Sequence, residues 1–267
     1  MIATPLIARQ ERFAAVASTN DVVRAWLDDG APEVCLAIAD EQSAGRGREG
    51  RTWTAPAGRA LLLSLGFRPT RLEPDRAWQL AAVVSLAMAG AAEEVARLPS
   101  GTIRLKWPND LVVEPDGTVR KVAGVLGETI GLGSADPRVV VGIGVNVDWP
   151  AAEFPEGLAD AMTSLREAAG GTAIDRERVL SAFVARLEGG IEALRSGSFD
   201  SASWEARQLT NGRRVRLVGH DGSTEIVRAI GVDPSSGALI VAGEDESATE
   251  RRVLTGEILH LRLDEDV

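Results

Sequence analysis

Of the 29 basic residues in this 267-residue chain, only Lys106 and Lys121 are lysines; the others are all arginines. A lysine kept against that bias points to a need for a compact, movable point charge, which a planar guanidinium does not supply. Both lysines fall in one motif-dense segment, KWPND (106–110) followed by KVAGVLGE (121–128). A second cationic feature lies upstream in DEQSAGRGREGRTW (40–53), where Gly45, Gly47 and Gly50 are interleaved with Arg46, Arg48 and Arg51. Glycines offer backbone N–H groups and close approach, while arginines offer planar forks for carboxylates and phosphates. Together the two features suit a site that receives anions.

The glycine spacing matches G-x-G-x-x-G, but a dinucleotide fingerprint needs a strand before it and a helix directly after, whose N-terminus receives the pyrophosphate. The apolar run EVCLAIA (33–39) supplies the strand. RTWTAPAGRA follows, where Pro56 and Gly58 oppose an immediate long helix. No G-K-[ST] follows either, which excludes a P-loop. The loop is therefore expected to be mobile when empty, because its arginines repel one another, and to be ordered by an anionic ligand. Ordering it costs about 1–2 kcal/mol per residue in backbone entropy. An exposed, solvated turn is the plainer alternative.

The elements that must position these groups read as a mixed α and β fold. Ser18 or Thr19 caps a helix striped by Val22, Val23, Trp26 and Leu27, with Asp21 completing a capping box and Gly30 ending it. RALLLSLGF (59–67) reads as the strand after the loop, and Pro74 opens a long helix that stops before Pro99. TIRLKW, PNDLVV, TVRKVAGVLGE and RVVVGIGVNV read as consecutive sheet strands with a turn at EPDG. Helical pattern returns over 175–195 and 198–209. Beyond Asn211 and Gly212, short alternating strands with turns at HDGS and DPSSG close with GEILHLRL, a small barrel-like β module. The expected domains are 1–209 and 210–267.

Composition narrows the function classes. A net charge of −10 disfavours non-specific nucleic-acid binding. The single cysteine, Cys35, precludes an intramolecular disulfide and any cysteine-cluster metal site, and its apolar setting reads as core. His220 and His260 are the only imidazoles, both near the C-terminus, which gives little support to a Ser-His-Asp hydrolase or a histidine-ligated zinc enzyme. MIATPLIARQERF lacks the features of a signal peptide, and the alanine-rich helix WQLAAVVSLAMAGAAEEVARL reads as a core helix, not a membrane span. A cytoplasmic protein that engages neither membrane nor nucleic acid is expected.

Five motifs follow one another: STN (18–20), Q-S-A-G-R-G-R-x-G-R-x-W (42–53), KWPND (106–110), K-V-A-G-V-L-x-E (121–128) and G-I-G-V-N (142–146). In this order they resemble the biotin–protein ligases, and with the C-terminal module the resemblance spans nearly the whole chain. A lone G-x-G-x-x-G says little; KWPND followed by K-x-A-G-x-L-x-E is specific. The resemblance implies an α+β catalytic domain on a mixed β-sheet, of a fold shared with lipoate–protein ligases, plus a small C-terminal SH3-like β-barrel. It implies an enzyme that joins biotin to ATP, with Mg²⁺, to give biotinyl-5′-adenylate and pyrophosphate. The biotinyl group then passes to one lysine of a carrier domain such as that of acetyl-CoA carboxylase.

Carried over residue by residue, the resemblance makes Lys121 and Arg48 catalytic. Biotin contacts fall on Ser18, Thr19, Asn20, Gln42, Arg46, Gly47, Arg48, Lys121, Gly124, Gly142 and Gly144. The nucleotide side falls on Arg46, Arg48, Arg51, Trp53, Lys106, Asn109, Asp110 and Asn146, with Asp110 as the Mg²⁺ contact. A neutral ureido ring calls for directional donors and acceptors, which Ser18, Thr19, Asn20 and Gln42 provide. Trp53 serves either as a stacking face for adenine or as a hydrophobic latch at the loop's end. Asn109 serves either the triphosphate or the turn after Pro108. Glu49 inside the arginine loop, Gly127 before Glu128 and the EPDG tip depart from the usual pattern. Only 17 residues precede Ser18, so a ligase without a DNA-binding repressor domain is expected. The rival readings are a lipoate or octanoate ligase on the same fold, a biotin-responsive binding protein that makes no product, and a Rossmann oxidoreductase.

Overall fold

The computed structural model describes residues 4–219, 222–243 and 249–254 and the backbone of 257–260. His220, Asp221 of the HDGS turn, the imidazole of His260 and both ends of GEILHLRL lie outside the described residues.

A seven-stranded sheet organises the chain: β1 (Arg9–Val16), β2 (Cys35–Gln42), β3 (Ala60–Phe67), β4 (Arg104–Lys106), β5 (Asp110–Val113), β6 (Arg120–Ile130) and β7 (Arg138–Asn146). Its order is β1-β2-β3-β7-β6-β5-β4, with β1 parallel to β2 and the other pairs antiparallel. Alternation along the strands gives the sheet two different faces. Leu61, Leu63, Leu65, Val139, Val141 and Ile143 face a large core with α2 (Trp78–Ala96) and α4 (Arg176–Arg195). Cys35, Ala37 and Val140 face the other way, against Val23, Trp26 and Leu27 of α1 (Thr19–Asp28). α2 with its preceding turn is long and apolar enough to cross a membrane, yet most of it is buried in this fold, as the core reading expects. Cys35 is fully buried, and burial pushes its thiol up to about 11.

Two local readings are corrected, and two elements come in addition to those expected. Ser18 occupies the N-cap of α1 without a side-chain cap bond, and Asp21 is drawn away from the cap by Arg46. Pro74 opens a 3₁₀ turn (Pro74–Arg76), and α2 begins only at Trp78. β1 was not legible as a strand, because it is an edge strand whose apolar positions are irregular. A further short helix, α3 (Leu165–Ala168), is capped by Ser164. α5 (Ser201–Ala206) lies within the expected last helical stretch.

A second, five-stranded antiparallel sheet holds the C-terminal residues: β8 (Arg214–Val218), β9 (Thr224–Val232), β10 (Leu239–Ala242), β11 (Arg251–Val253) and β12 (Glu257–His260), ordered β11-β10-β9-β8-β12. It is joined to the first sheet where Leu105 of β4 exchanges backbone hydrogen bonds with the chain at Arg207 and Leu209. Beneath that junction Glu93, 4% exposed, accepts from both terminal nitrogens of Arg207 at 2.8 Å and from the Gly101 and Ile103 N–H groups. Burial pushes this carboxyl up, but these donors and the Arg207 charge outweigh it and hold it below the usual carboxylate range.

Candidate active site

The α1 face of the sheet is left open near the ends of β6 and β7, because three glycines replace side chains there. Gly142 and Gly144 share one face of β7, and Gly124 of β6 lies directly opposite Gly144. A Cβ on Gly142 would collide with the Asn20 amide, and one on Gly144 would stand 2.5 Å from Trp53 Cε2. The floor that results belongs to a cavity of about 650 Å³. Ser18, Thr19, Asn20, Gln42, Arg46, Gly47, Arg48, Arg51, Trp53, Lys106, Asn109, Asp110, Lys121, Gly124, Gly142, Gly144 and Asn146 all line it. All the biotin-side and nucleotide-side candidates named from the sequence thus line one cavity.

Its polar end is built on a residue that the sequence reading missed. Ser64 is fully buried in β3, opposite Gly142, with Oγ 2.7 Å from Thr19 Oγ1 and 2.6 Å from Asn20 Oδ1. Asn20 Oδ1 can only accept, so the single Ser64 proton goes there. Gln42 Oε1 accepts from the Thr19 N–H at 2.7 Å and from its hydroxyl at 3.0 Å. Each amide therefore has one end anchored, and Asn20 Nδ2 is left buried with no partner in the protein. An orphan donor on a cavity wall is a place for a ligand acceptor. The available signal was the lone polar residue inside ALLLSLGF.

The arginine loop folds as a hairpin: Trp53 N–H donates to Gly45 O at 2.9 Å and Gly47 N–H to Arg51 O at 2.7 Å. Residues Arg48–Gly50 make a single 3₁₀ turn, with Glu49 in the left-handed region, so no helix follows the glycines. The expectation of mutually repelling charges needs correction at Arg46. Its guanidinium forks onto Asp21 at 2.8 and 2.7 Å and reaches Glu128 at 3.3 Å, while Arg24 pairs with the other oxygen of Glu128. The Arg46 hydrogen bond holds the Asp21 carboxyl below its usual range against the opposing effect of burial, and Arg46 is raised in turn. Arg51 lies 3.6 Å from Glu49. Acids from α1 and β6 therefore neutralise part of the loop, which reading its own residues could not reveal.

Trp53 at the hairpin's end packs on the glycine floor, over Gly124 and Gly144. Its Nε1 is buried without a partner. Lys121 Nζ lies 5.4 Å from the centroid of the Trp53 ring and 2.6 Å from Asp110 Oδ1. A register shift puts the lysine there. Asp110 pairs with Gly124 and Leu111 with Ala123, but Val112 pairs with Lys121, so Val122 is an extra residue in β6. Without that bulge Lys121 would share the core face of Ala123 and Val125. The 158–163 segment then closes over it: Lys121 N–H donates to Ala161 O, and Lys121 O accepts from the Thr163 N–H.

Asn109 and Asn146 each spend their Nδ2 on the fold, donating at 2.9 Å to Val125 O and Thr163 O respectively. The carbonyl oxygen and the second N–H of each amide are what remain for a ligand. Asp110, paired with Lys121, is the acidic group beside the lysine, and among the described residues no cluster of three or more histidine, cysteine or acidic side chains could hold a metal alone. A lone carboxylate fits Mg²⁺ that arrives with phosphate oxygens and keeps its waters, which is the usual mode for that ion. Six cationic side chains (Arg46, Arg48, Arg51, Lys106, Lys121, Arg213) against three acidic ones (Asp110, Glu114, Asp160) line the cavity. On a chain of net charge −10, this makes the cavity a locally cationic place.

The model of the biotin/lipoate A/B protein ligase family matches residues 13–146. The biotin–[acetyl-CoA-carboxylase] ligase of Mycobacterium tuberculosis is 34% identical over 252 residues, 93% of this chain and 88% of that protein. That of Paracoccus denitrificans is 35% identical over 211 residues, 77% of this chain and 83% of its own. The structure of biotin protein ligase from Aquifex aeolicus in complex with biotin and ATP superposes with a TM-score of 0.75 at 29% identity, covering 95% of this chain and 99% of that one. The chain belongs to the biotin/lipoate A/B protein ligase family.

Proposed function

We infer that this protein is a biotin–[acetyl-CoA-carboxylase] ligase: it activates biotin with ATP and transfers the biotinyl group to a lysine of a carrier protein. The observation that carries the reading is a single cavity with a partly anchored amide network at one end and a bulge-presented lysine among arginines at the other.

In the first step a biotin carboxylate oxygen bonds to the ATP α-phosphorus as the bond to pyrophosphate breaks. Two anions about 4 Å apart repel by roughly 4 kcal/mol at an effective dielectric of 20, so cations must be in place beforehand. Lys121, held by Asp110 and beside Trp53, is assigned to the carboxylate and α-phosphate, where its ammonium can follow the developing charge. Arg46 and Arg48 are assigned to biotin and the adenylate phosphate, with Arg46 exchanging Asp21 for the ligand. Asn20 Nδ2 and the Gln42 amide are assigned to the ureido ring, with Ser18 and Thr19. Trp53 and Arg51 serve the nucleotide, and Lys106, Asn109, Asp110 and Asn146 border its phosphates. Mg²⁺ bound through Asp110 and the phosphates would offset pyrophosphate charge. In the second step the neutral carrier amine attacks the acyl carbon, AMP leaves with the bonding pair, and the amine loses a proton. The five-stranded C-terminal unit fits an SH3-like barrel.

Mass spectrometry after mixing the protein with biotin, ATP and Mg²⁺ should reveal biotinyl-5′-adenylate, and lipoate in place of biotin should give no comparable product. Lys121→Ala should abolish pyrophosphate release while the protein remains folded. Near-normal release from that variant would reject the assignment.

A further inference from the structure

Asn109 and Asp110 lie on a short stretch, residues 107–114, whose two ends are both held by the C-terminal module. At one end the Trp107 indole N–H, in a side chain only 4% exposed, donates to Gly237 O at 3.1 Å. Gly237 ends the Asp233–Gly237 turn between β9 and β10, and its φ of +73° favours glycine. The position has no room for a side chain, since a Cβ would stand 2.8 Å from Trp78 Cδ2. Trp78 is wedged in turn against Trp204 and Phe199, at ring distances of 4.8 and 5.3 Å. The turn is stiff in its own right. The Asp233 carboxylate accepts from the Ser235 N–H at 2.9 Å and from the Ser235 and Ser236 hydroxyls, and Arg252 pairs with it at 2.8 Å. At the other end Arg213, where the module begins, forks onto the Glu114 carboxylate, with Nη2 to Oε2 at 2.7 Å.

We propose that the C-terminal module positions the nucleotide half of the cavity, acting through Trp107 at one end and Glu114 at the other to set where Asn109 and Asp110 stand. The proposal rests on the ligase reading for what Asn109 and Asp110 hold, and not for the clamp itself. Trp107, Glu114 and the Asp233–Gly237 turn are positioning residues. Among the described residues no hydrogen bond or ion pair joins the module to Ser18, Thr19, Asn20, Gln42 or Ser64, so the two halves of the cavity should respond separately when the clamp is loosened.

Trp107→Phe removes the indole donor and keeps an aromatic ring. The full-length variant should show an ATP KM raised about tenfold, with biotin affinity by calorimetry within about twofold of the parent. In the empty protein, amide exchange at 106–110 should accelerate about tenfold while 18–20 and 142–146 keep their rates. Asp233→Ala, a change outside the cavity, should reproduce both effects more weakly, and it carries the test alone if Trp107→Phe does not fold. Unchanged exchange at 106–110, or biotin affinity that falls in step with ATP use, would overturn the clamp. If the parent makes no adenylate, the ligase reading fails, and the exchange experiment still decides whether the module sets this segment.

Discussion

Gly144→Ala adds one methyl group at the most crowded point of the cavity floor. Gly144 is mid-strand and outside the left-handed region, so alanine does not strain its backbone. The new Cβ would stand 2.5 Å from Trp53 Cε2, 2.6 Å from Nε1 and 2.9 Å from Cζ2, where carbon contacts are ordinarily about 3.5–4.0 Å. β7 is fixed between β3 and β6, with Leu62 and Gly124 as its partners at this position, so the indole has to yield. Overpacking of this kind costs about 1–3 kcal/mol. Trp53 sits on a hairpin tied by few backbone bonds, so the cost should appear as easier loop opening and not as loss of global stability. A cost of that size corresponds to opening about 5–150 times more frequent. Hydrogen exchange read by mass spectrometry should show the Gly47 and Trp53 amides accelerating by such a factor, with the midpoint of thermal unfolding nearly unchanged. Removing the indole should remove the conflict, so Gly144→Ala in a Trp53→Ala background should add nothing further. Unaltered exchange over 45–53, or equal acceleration in the core strands, would show that Trp53 does not rest on this glycine floor.

Ser64→Ala deletes the hydroxyl beneath Thr19 and Asn20 without opening a cavity large enough to collapse. Stranding a buried polar partner costs about 1–3 kcal/mol, so calorimetry should find biotin affinity at least about fivefold weaker while the ATP KM holds. Glu93→Gln leaves Arg207 buried beside a neutral amide, and urea titration at neutral pH should register a loss of about 3–5 kcal/mol. The folded Glu93 pKa is depressed, so its contribution is complete above the unfolded glutamate value of about 4.3 and is lost as pH falls through the folded one. The gap between parent and variant should therefore shrink under acid; a gap independent of pH would contradict the ionised pairing.

The helices around α2 and α4, the strands β2, β3, β6 and β7 and the polar constellation were legible because local pattern encodes them. Period, glycine placement and residue type need no knowledge of partners. β1 escaped notice because an edge strand need not alternate cleanly, and the 3₁₀ start at Pro74 because proline is acceptable to either kind of turn. The acids that hold Arg46 escaped because Glu128 is 82 residues away along the chain.

What the amino-acid order alone determined is the chemistry on offer: two ammonium groups amid arginines, directional amides and hydroxyls, and glycines that admit a ligand to the sheet. Which way those groups point was settled only by tertiary pairing. One extra residue, Val122, turns Lys121 out of the core and into the cavity, and it exists as a bulge only relative to β5. Ser64 becomes a hub only when β3 lies beside β7 and beneath α1, and the KWPND segment acquires its clamp only when the second sheet docks on Trp78 and Trp107. Strand register and docking are relations between distant segments, set by the burial of a shared core, and no local window of sequence contains both partners.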